Sequence, residues 1–201
     1  MGNVIAEALV RFNKDAVMEI SRGNLKEALV IFEQSLAVEE KLKLGPELPK
    51  TLVNIASLHM LMGDFKSALE KAERAIEGFR KLGCRQEEEK AGLLAGRICL
   101  RLEDLNKAFG YFRNVSEKSK ESEIKGEAYL EMSAILFIKK DYPKAQDHIA
   151  QAIAYFGHAG RKDLLKMAYH KRAEYFRSLK KEDLARQDDI RARGLESSME
   201  I

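Results

Sequence analysis

The stretch from Leu52 to Leu82 carries the clearest helical pattern in the chain. Its two halves repeat side chains at steps of three and four residues, at Leu52, Ile55, Ala56, His59 and Met62, then at Phe65, Ala68, Leu69, Ala72, Ala75, Ile76 and Phe79. Gly63 and Asp64 separate the halves: glycine accepts the positive φ that ends a helix, and aspartate caps the next one. The stretch therefore predicts a helical hairpin.

Small residues repeat in register with this hairpin. An alanine recurs in each predicted second helix at steps of 40, 40, 37 and 40 residues, at Ala28, Ala68, Ala108, Ala145 and Ala185. Twelve residues before each alanine lies another small residue, in order Ala16, Ala56, Gly96, Ser133 and Ala173. Because a large side chain would hold two helix backbones apart, these pairs predict five hairpins with closely crossing helices.

The breaks between paired helices repeat as well. Four of them place a capping residue before an apolar one, at Gly23-Asn24-Leu25, Gly63-Asp64-Phe65, Glu103-Asp104-Leu105 and Lys140-Asp141-Tyr142. The fifth break, around residues 181–184, is degenerate. After it the apolar stripe thins, as a polar capping helix at the end of a repeat array would require.

These motifs resemble the tetratricopeptide repeat (TPR) family over residues 9–195. Its pattern of small, Gly-Asp-Tyr-like, Ala and aromatic positions is matched by Gly63, Asp64, Phe65, Ala68 and Ala75, by Gly23, Leu25, Ala28, Phe32 and Ser35, by Gly96, Asp104, Ala108 and Phe112, and by Asp141, Tyr142, Ala145 and Ala152. The family period is about 34 residues. The spacing of about 40 here is similar to a long-period subgroup whose second helices end in Leu-Gly or Ala-Gly, as at Leu44-Gly45, Leu82-Gly83 and Ala159-Gly160.

The resemblance implies an all-α fold, an α-α superhelix (solenoid) of five antiparallel helix-turn-helix repeats. We expect one TPR-like domain over residues 1–201. Its repeats are expected at about 9–45, 49–83, 89–120, 126–160 and 164–198, the last a degenerate cap.

Composition removes several classes of partner. The 35 basic and 32 acidic residues give a net charge of only +3, spread along the chain, so we expect no nucleic-acid groove. No apolar run approaches the roughly 20 residues of a membrane span, and we expect no membrane partner. Cys84 and Cys99 have no paired spacing and no signal peptide precedes them, which indicates a reducing cytoplasm.

The chemistry-bearing residues form no recognisable set. His59, His148, His158 and His170 have no spacing that brings two onto one helical turn, and the sequence contains neither a phosphate loop nor a nucleophile elbow. His59 and Cys99 occupy matching core-facing positions. We therefore expect no catalytic residue, no cofactor and no metal site, and predict that the protein is not an enzyme.

In the TPR family the first helices of successive repeats line a concave groove for a peptide or a partner helix. Carried over by the resemblance, the partner-binding groove comprises Val53, Asn54, Lys90, Leu93, Leu94, Arg97, Arg101, Glu127, Leu130 and Phe137. An alternative for its charges is that Lys90, Arg97 and Arg101 pair with Glu127 and Glu131 or remain solvated.

The predicted function is a cytoplasmic protein-interaction module or scaffold that binds another protein or peptide. Two alternatives remain open at the level of sequence. One is a structural protein that forms homo-oligomers through the groove or through an end repeat. The other is a regulatory domain that senses a small peptide.

Overall fold

The computed structural model describes residues 2–42, 45 and 47–196. These residues form ten α-helices: α1 (Gly2–Ser21), α2 (Leu25–Leu42), α3 (Glu47–Leu61), α4 (Phe65–Leu82), α5 (Arg85–Arg101), α6 (Leu105–Lys118), α7 (Ser122–Ile138), α8 (Tyr142–His158), α9 (Lys162–Ser178) and α10 (Glu182–Glu196). We call α1, α3, α5, α7 and α9 the first helices, because each opens a predicted repeat. The all-α prediction is confirmed.

The helices group into two compact units, residues 1–104 (unit 1) and residues 105–201 (unit 2). Within unit 1 each helix from α1 to α5 packs on the next, and α3 also contacts α5. Within unit 2 each helix from α6 to α10 packs on the next. The prediction of a single domain stays a prediction.

The predicted small residues of both helices in each hairpin are buried. The five second-helix alanines are buried, as are Ala16, Ala56, Gly96, Ser133 and Ala173 in the first helices. Close packing of this kind requires small side chains, since each added methylene would meet a filled interior. The burial of these residues agrees with the predicted register in α1–α2, α3–α4, α7–α8 and α9–α10, the hairpins that lie within one unit.

All five breaks have the same backbone conformation. Positive φ angles of 82°, 82°, 60°, 62° and 59° occur at Gly23, Gly63, Glu103, Lys140 and Lys180, which follow the steps of the small residues. Asp64 and Asp141 then accept hydrogen bonds from the backbone N–H groups of Ser67 and Lys144, at 3.2 and 3.4 Å. The fifth break, degenerate in sequence, keeps this turn.

Each of the five first helices begins before the predicted start of its repeat. The turn into α5 is made by Gly83, with φ 69°, and α5 starts at Arg85, so Glu87 and Glu88 lie in its first turn as the helix dipole favours. Pro49 lies in the first turn of α3, where its missing N–H is tolerated. Leu44 and Pro46 fall outside the described residues. Among the described helices, none is both long and apolar enough to cross a bilayer.

Candidate partner-binding surface

A cavity of about 700 Å³ opens in unit 1 among α1, α2 and α3. Helix α1 contributes mostly apolar side chains, α2 contributes one apolar and two polar ones, and α3 contributes polar ones. The lining residues are Ile5, Ala6, Leu9, Val10, Asn13, Phe32, Ser35, Glu39, Gly45, Glu47, Lys50, Thr51 and Asn54. The volume lies within the range of ligand sites in proteins, roughly 300 to 1,000 Å³.

The cavity has an exposed mouth and a buried base. Val10, Asn13 and Lys50 are exposed, and Val10 keeps 69% of its surface accessible. Phe32 and Glu39 are buried. A ligand can therefore enter from solvent along apolar walls and reach polar groups at the bottom.

Glu39 is the charged residue at the base. It is only 2% exposed, and its Oε1 accepts hydrogen bonds from Thr51 Oγ1 at 2.9 Å and from Ser35 Oγ at 3.0 Å. The other carboxylate oxygen, Oε2, is buried with no hydrogen-bond partner among the described residues. Burial raises the pKa of Glu39, opposed by the two hydroxyl hydrogen bonds and reinforced by the negative charges of Glu47 and Glu40.

Two ion pairs involve charged residues in the cavity lining or next to it in the sequence. Lys50 Nζ lies 3.2 Å from Glu47 Oε1, one turn away on α3. Glu40, next to Glu39, pairs with Arg74 of α4 at 2.6 Å. Both pairs are well exposed, so they contribute little to stability and can exchange partners when a ligand arrives.

The predicted groove residues of unit 1 differ in how much of each side chain is exposed. Asn54 is half-buried and lines the cavity, and Val53 packs partly against the core. Lys90 is exposed, whereas Leu94 and Arg97 are half-buried. The placement of Leu93 in the groove needs correction, because its side chain is only 4% exposed and offers a partner almost no surface.

Arg101 lies beside an aromatic ring. Its guanidinium carbon is 5.0 Å from the centre of the Phe65 ring, at the start of α4. A cation over a ring face is attracted by the ring quadrupole. Arg101 is thus held near the Gly63-Asp64 turn while its side chain stays exposed.

The predicted residues of unit 2 take part in repeat packing. Leu130 is half-buried against the cluster of Ala152, Phe156 and Ala168, and Glu127 is half-buried on the same helix. Phe137 stacks on Tyr175 with ring centres 4.2 Å apart and is tilted against Tyr142 at 5.2 Å. These two rings cover part of the Phe137 side chain, which is half-buried.

Sequence reasoning missed the polar base of the cavity. Glu39 follows Phe32 and Leu36 at steps of four and three residues, so a carboxylate occupies the buried stripe of α2. That spacing was the available signal. It does not reveal that Thr51, in the next helix, meets the same oxygen.

Two of the four histidines lie close to a helix cap or to a backbone carbonyl. His59 Nδ1 is 3.3 Å from Oδ2 of the capping residue Asp64, and His148 Nδ1 is 3.0 Å from the backbone carbonyl of Lys144. Within the described part of the chain, histidine, cysteine and acidic side chains form no group of three that could hold a metal ion.

No protein-family model matches the sequence, and no curated protein is significantly similar to it. Several solved structures are similar to this chain over nearly its whole length. BtubC from P. vanneervenii has a TM-score of 0.83 at 16% identity, covering 98% of this chain and 82% of its own. A putative kinesin light chain with nearly identical TPR-like repeats from Podosopora anserina has a TM-score of 0.77 at 15% identity, covering 96% of each chain.

Aspartyl phosphate phosphatase F from Bacillus subtilis has a TM-score of 0.87 at 15% identity. The alignment covers 98% of this chain but 52% of the phosphatase chain, so our chain spans about half of that protein. Identities this low establish the fold alone. The chain has the all-α fold of tetratricopeptide-like helical repeat proteins.

Proposed function

We propose that the protein is a non-catalytic interaction module that binds a peptide or helical segment of another protein on its first-helix surface. The observation that carries this proposal is the open cavity of unit 1, lined by the first helices α1 and α3 together with α2. Apolar walls with a few convergent polar groups are typical of binding sites. Helical repeat proteins commonly bind partners on such surfaces.

The proposed contacts combine apolar anchors with charges. In unit 1 they are Val53, Asn54, Lys90, Leu94, Arg97 and Arg101, with Val10 and Asn13 added from the cavity mouth. In unit 2 they are Glu127, Leu130 and Phe137. Buried anchors usually dominate affinity, while charges at the rim set orientation and association rate.

Two exposed valines provide a matched test. Val10 lines the cavity and is 69% exposed, whereas Val30 lies on α2 outside the cavity lining and is 52% exposed. A partner captured from native lysate and identified by mass spectrometry is purified and titrated against both aspartate variants. We expect Val10→Asp to weaken binding about tenfold or more and Val30→Asp to leave it unchanged. Equal affinities would overturn the proposed surface.

We place this interaction in the cytoplasm. The support is the spacing of Cys84 and Cys99, which does not follow the pattern of a disulfide framework. A fluorescent fusion of the full chain should distribute through the cytoplasm of its native cell. Accumulation outside the cytoplasm would contradict this location.

Homo-oligomerisation is a second candidate, favoured by one observation. Helix α1 exposes three large apolar side chains, Val10, Val17 and Met18, and 55% of Val17 is accessible. Such apolar side chains suit a self-association surface. Sedimentation equilibrium over a wide concentration range should show the monomer mass if the first proposal holds, and a dimer abolished by Val17→Asp if the second does.

A further inference from the structure

Three buried positions where α2 packs on α3 are polar, although the equivalent positions where α4 packs on α5 and α8 packs on α9 are apolar. They are Ser35, Glu39 and Thr51. The equivalent positions 40 residues later in the chain are occupied by Ala75, Phe79 and Ala91. The equivalent positions 117 residues later are occupied by Ala152, Phe156 and Ala168. Each apolar triad packs within one core cluster, whereas the polar triad is joined by hydrogen bonds.

The smaller side chain at position 39 also leaves space between the helices. In the second and fourth repeats a phenyl ring, from Phe79 or Phe156, fills the position that Glu39 holds in the first. A carboxylate is smaller than a phenyl ring, and the cavity of about 700 Å³ borders it. The junction of α1, α2 and α3 therefore combines an open volume with a polar base, at a position where the fold accommodates an aromatic side chain.

The hydrogen bonds of Glu39 show which group is missing. Oε1 accepts from two hydroxyl groups, while Oε2 is buried with no described partner. A carboxylate oxygen in that state is costly, and a charged donor satisfies it best. Glu39 is one of the residues that line the cavity, so a charged donor bound there lies beside its carboxylate.

The single available oxygen favours an ammonium over a guanidinium. A guanidinium is recognised best by two carboxylate oxygens at once, in a planar fork. Since both hydroxyl donors hold Oε1, Glu39 offers one oxygen, which suits the point charge of an ammonium group. The apolar walls beside it, from Leu9 and Phe32, suit the methylene stem of a lysine side chain.

We propose that this cavity binds a lysine side chain of the protein partner, with Glu39 as the counter-ion of its ammonium group and Leu9 and Phe32 in contact with its stem. The identity of the carrier as a protein rests on the function proposed above. The cavity chemistry does not, because a free alkylammonium ion tests it without any partner.

The probes are n-pentylammonium, n-pentanol and n-butylguanidinium, titrated into the full chain with methyl labels read by NMR at Ile5 and Leu9. We expect pentylammonium to bind about tenfold or more tightly than either other probe, because only it supplies a compact charged donor. Glu39→Gln should remove this preference. Glu40→Gln removes the same charge one residue away and should preserve it.

A second variant covers the case in which Glu39→Gln fails to fold. Ser35→Ala, Glu39→Phe and Thr51→Ala together recreate the apolar triad Ala75, Phe79 and Ala91, so the triple variant should fold. It should also lose binding of pentylammonium. Retained binding in either Glu39 variant, or equal affinity for pentanol and pentylammonium, would overturn the proposal.

A lysine of the chain itself is a possible competitor for Glu39, and Lys43 follows Glu39 by four residues in the sequence. The Lys43→Gln variant tests this competition. Lys43→Gln should bind pentylammonium as the wild type does, and tighter binding would show that Lys43 competes for the site and overturn the proposal. Failure of the Val10→Asp test with pentylammonium binding intact would count against the proposed partner surface alone. Loss of pentylammonium binding with that test fulfilled would count against the lysine site alone.

Discussion

Arg172 of α9 donates two hydrogen bonds to Asp188 of α10, at 2.6 and 2.8 Å, and Asp188 is fully buried. Arg191 adds a third donor at 2.7 Å. The Arg172 guanidinium also lies near the rings of Tyr169 and Phe176, at 5.5 and 5.9 Å from their centres. This network joins the two helices of the last hairpin, whose α10 exposes Leu184 and Ile190.

Breaking this pair should strongly destabilise the last hairpin. Asp188→Ala leaves the mostly buried Arg172 without its carboxylate, and losing one partner of a buried pair lowers the free energy of unfolding by about 3–5 kcal/mol. Urea unfolding followed by circular dichroism measures the change. Asp183→Asn, exposed on the same helix, serves as the control and should change the midpoint little. A midpoint for Asp188→Ala equal to that of the control would contradict the assigned role.

Enlarging a crossing alanine should destabilise by overpacking. Ala108 is fully buried, so Ala108→Leu has no space for its added atoms and should lower the free energy of unfolding by about 1–3 kcal/mol. Asn114→Leu places the same side chain on an exposed position of α6. Urea midpoints that shift equally in the two variants would argue against a tight crossing at Ala108.

Lys140 holds a backbone conformation that glycine adopts more easily. Its φ is 62°, and Gly23 and Gly63 occupy the same place in the first two hairpins. Relief of left-handed strain exceeds the entropy that glycine loses, so Lys140→Gly should raise the free energy of unfolding by about 0.5–1 kcal/mol. Gly63→Ala should act in the opposite direction. Thermal melts of the two variants that shift the same way would contradict this explanation.

The buried Glu39 should make stability depend on pH. Burial raises its pKa above the ordinary value of 4.5, so the folded protein retains this proton at pH values where the unfolded chain has lost it. The stabilisation is fully present below the unfolded pKa and is lost as pH rises through the folded pKa. The free energy of unfolding of the wild type, relative to Glu39→Gln, should therefore fall as pH increases from about 4 towards neutrality.

Urea unfolding of both proteins across that range measures the effect. Glu40→Gln, beside Glu39 but exposed, should retain the wild-type dependence. A stability difference between wild type and Glu39→Gln that rises with pH would contradict the raised pKa.

Leu94 tests the part of the proposed surface outside the cavity. It is half-buried on α5, so Leu94→Asp should weaken partner binding about tenfold or more while the helical circular dichroism spectrum is preserved. Arg97→Glu should weaken binding in a salt-dependent way, since rim charges act through screened electrostatics. An unfolded Leu94→Asp variant would place Leu94 in the core, and unchanged folding and binding would place the partner elsewhere.

The repeat register follows from local sequence patterns. Ala68 and its equivalents could be placed because helical periodicity, small residues at crossings and breaks such as Gly63-Asp64 are local features that recur at nearly constant steps. Even the turn at Lys180 follows those steps, although its sequence lacks the capping pattern. Local geometry is shared by all five hairpins, so repetition reveals it.

The contacts of individual side chains depend on how the helices pack on one another. Glu39 meets Thr51 across two helices, and Phe137 stacks on a tyrosine 38 residues later, so neither contact has a local signature. Leu93 and Leu94 are chemically identical neighbours, yet one is buried and the other half-buried. Burial depends on which neighbouring helices cover each position, and periodicity within one helix does not contain that information.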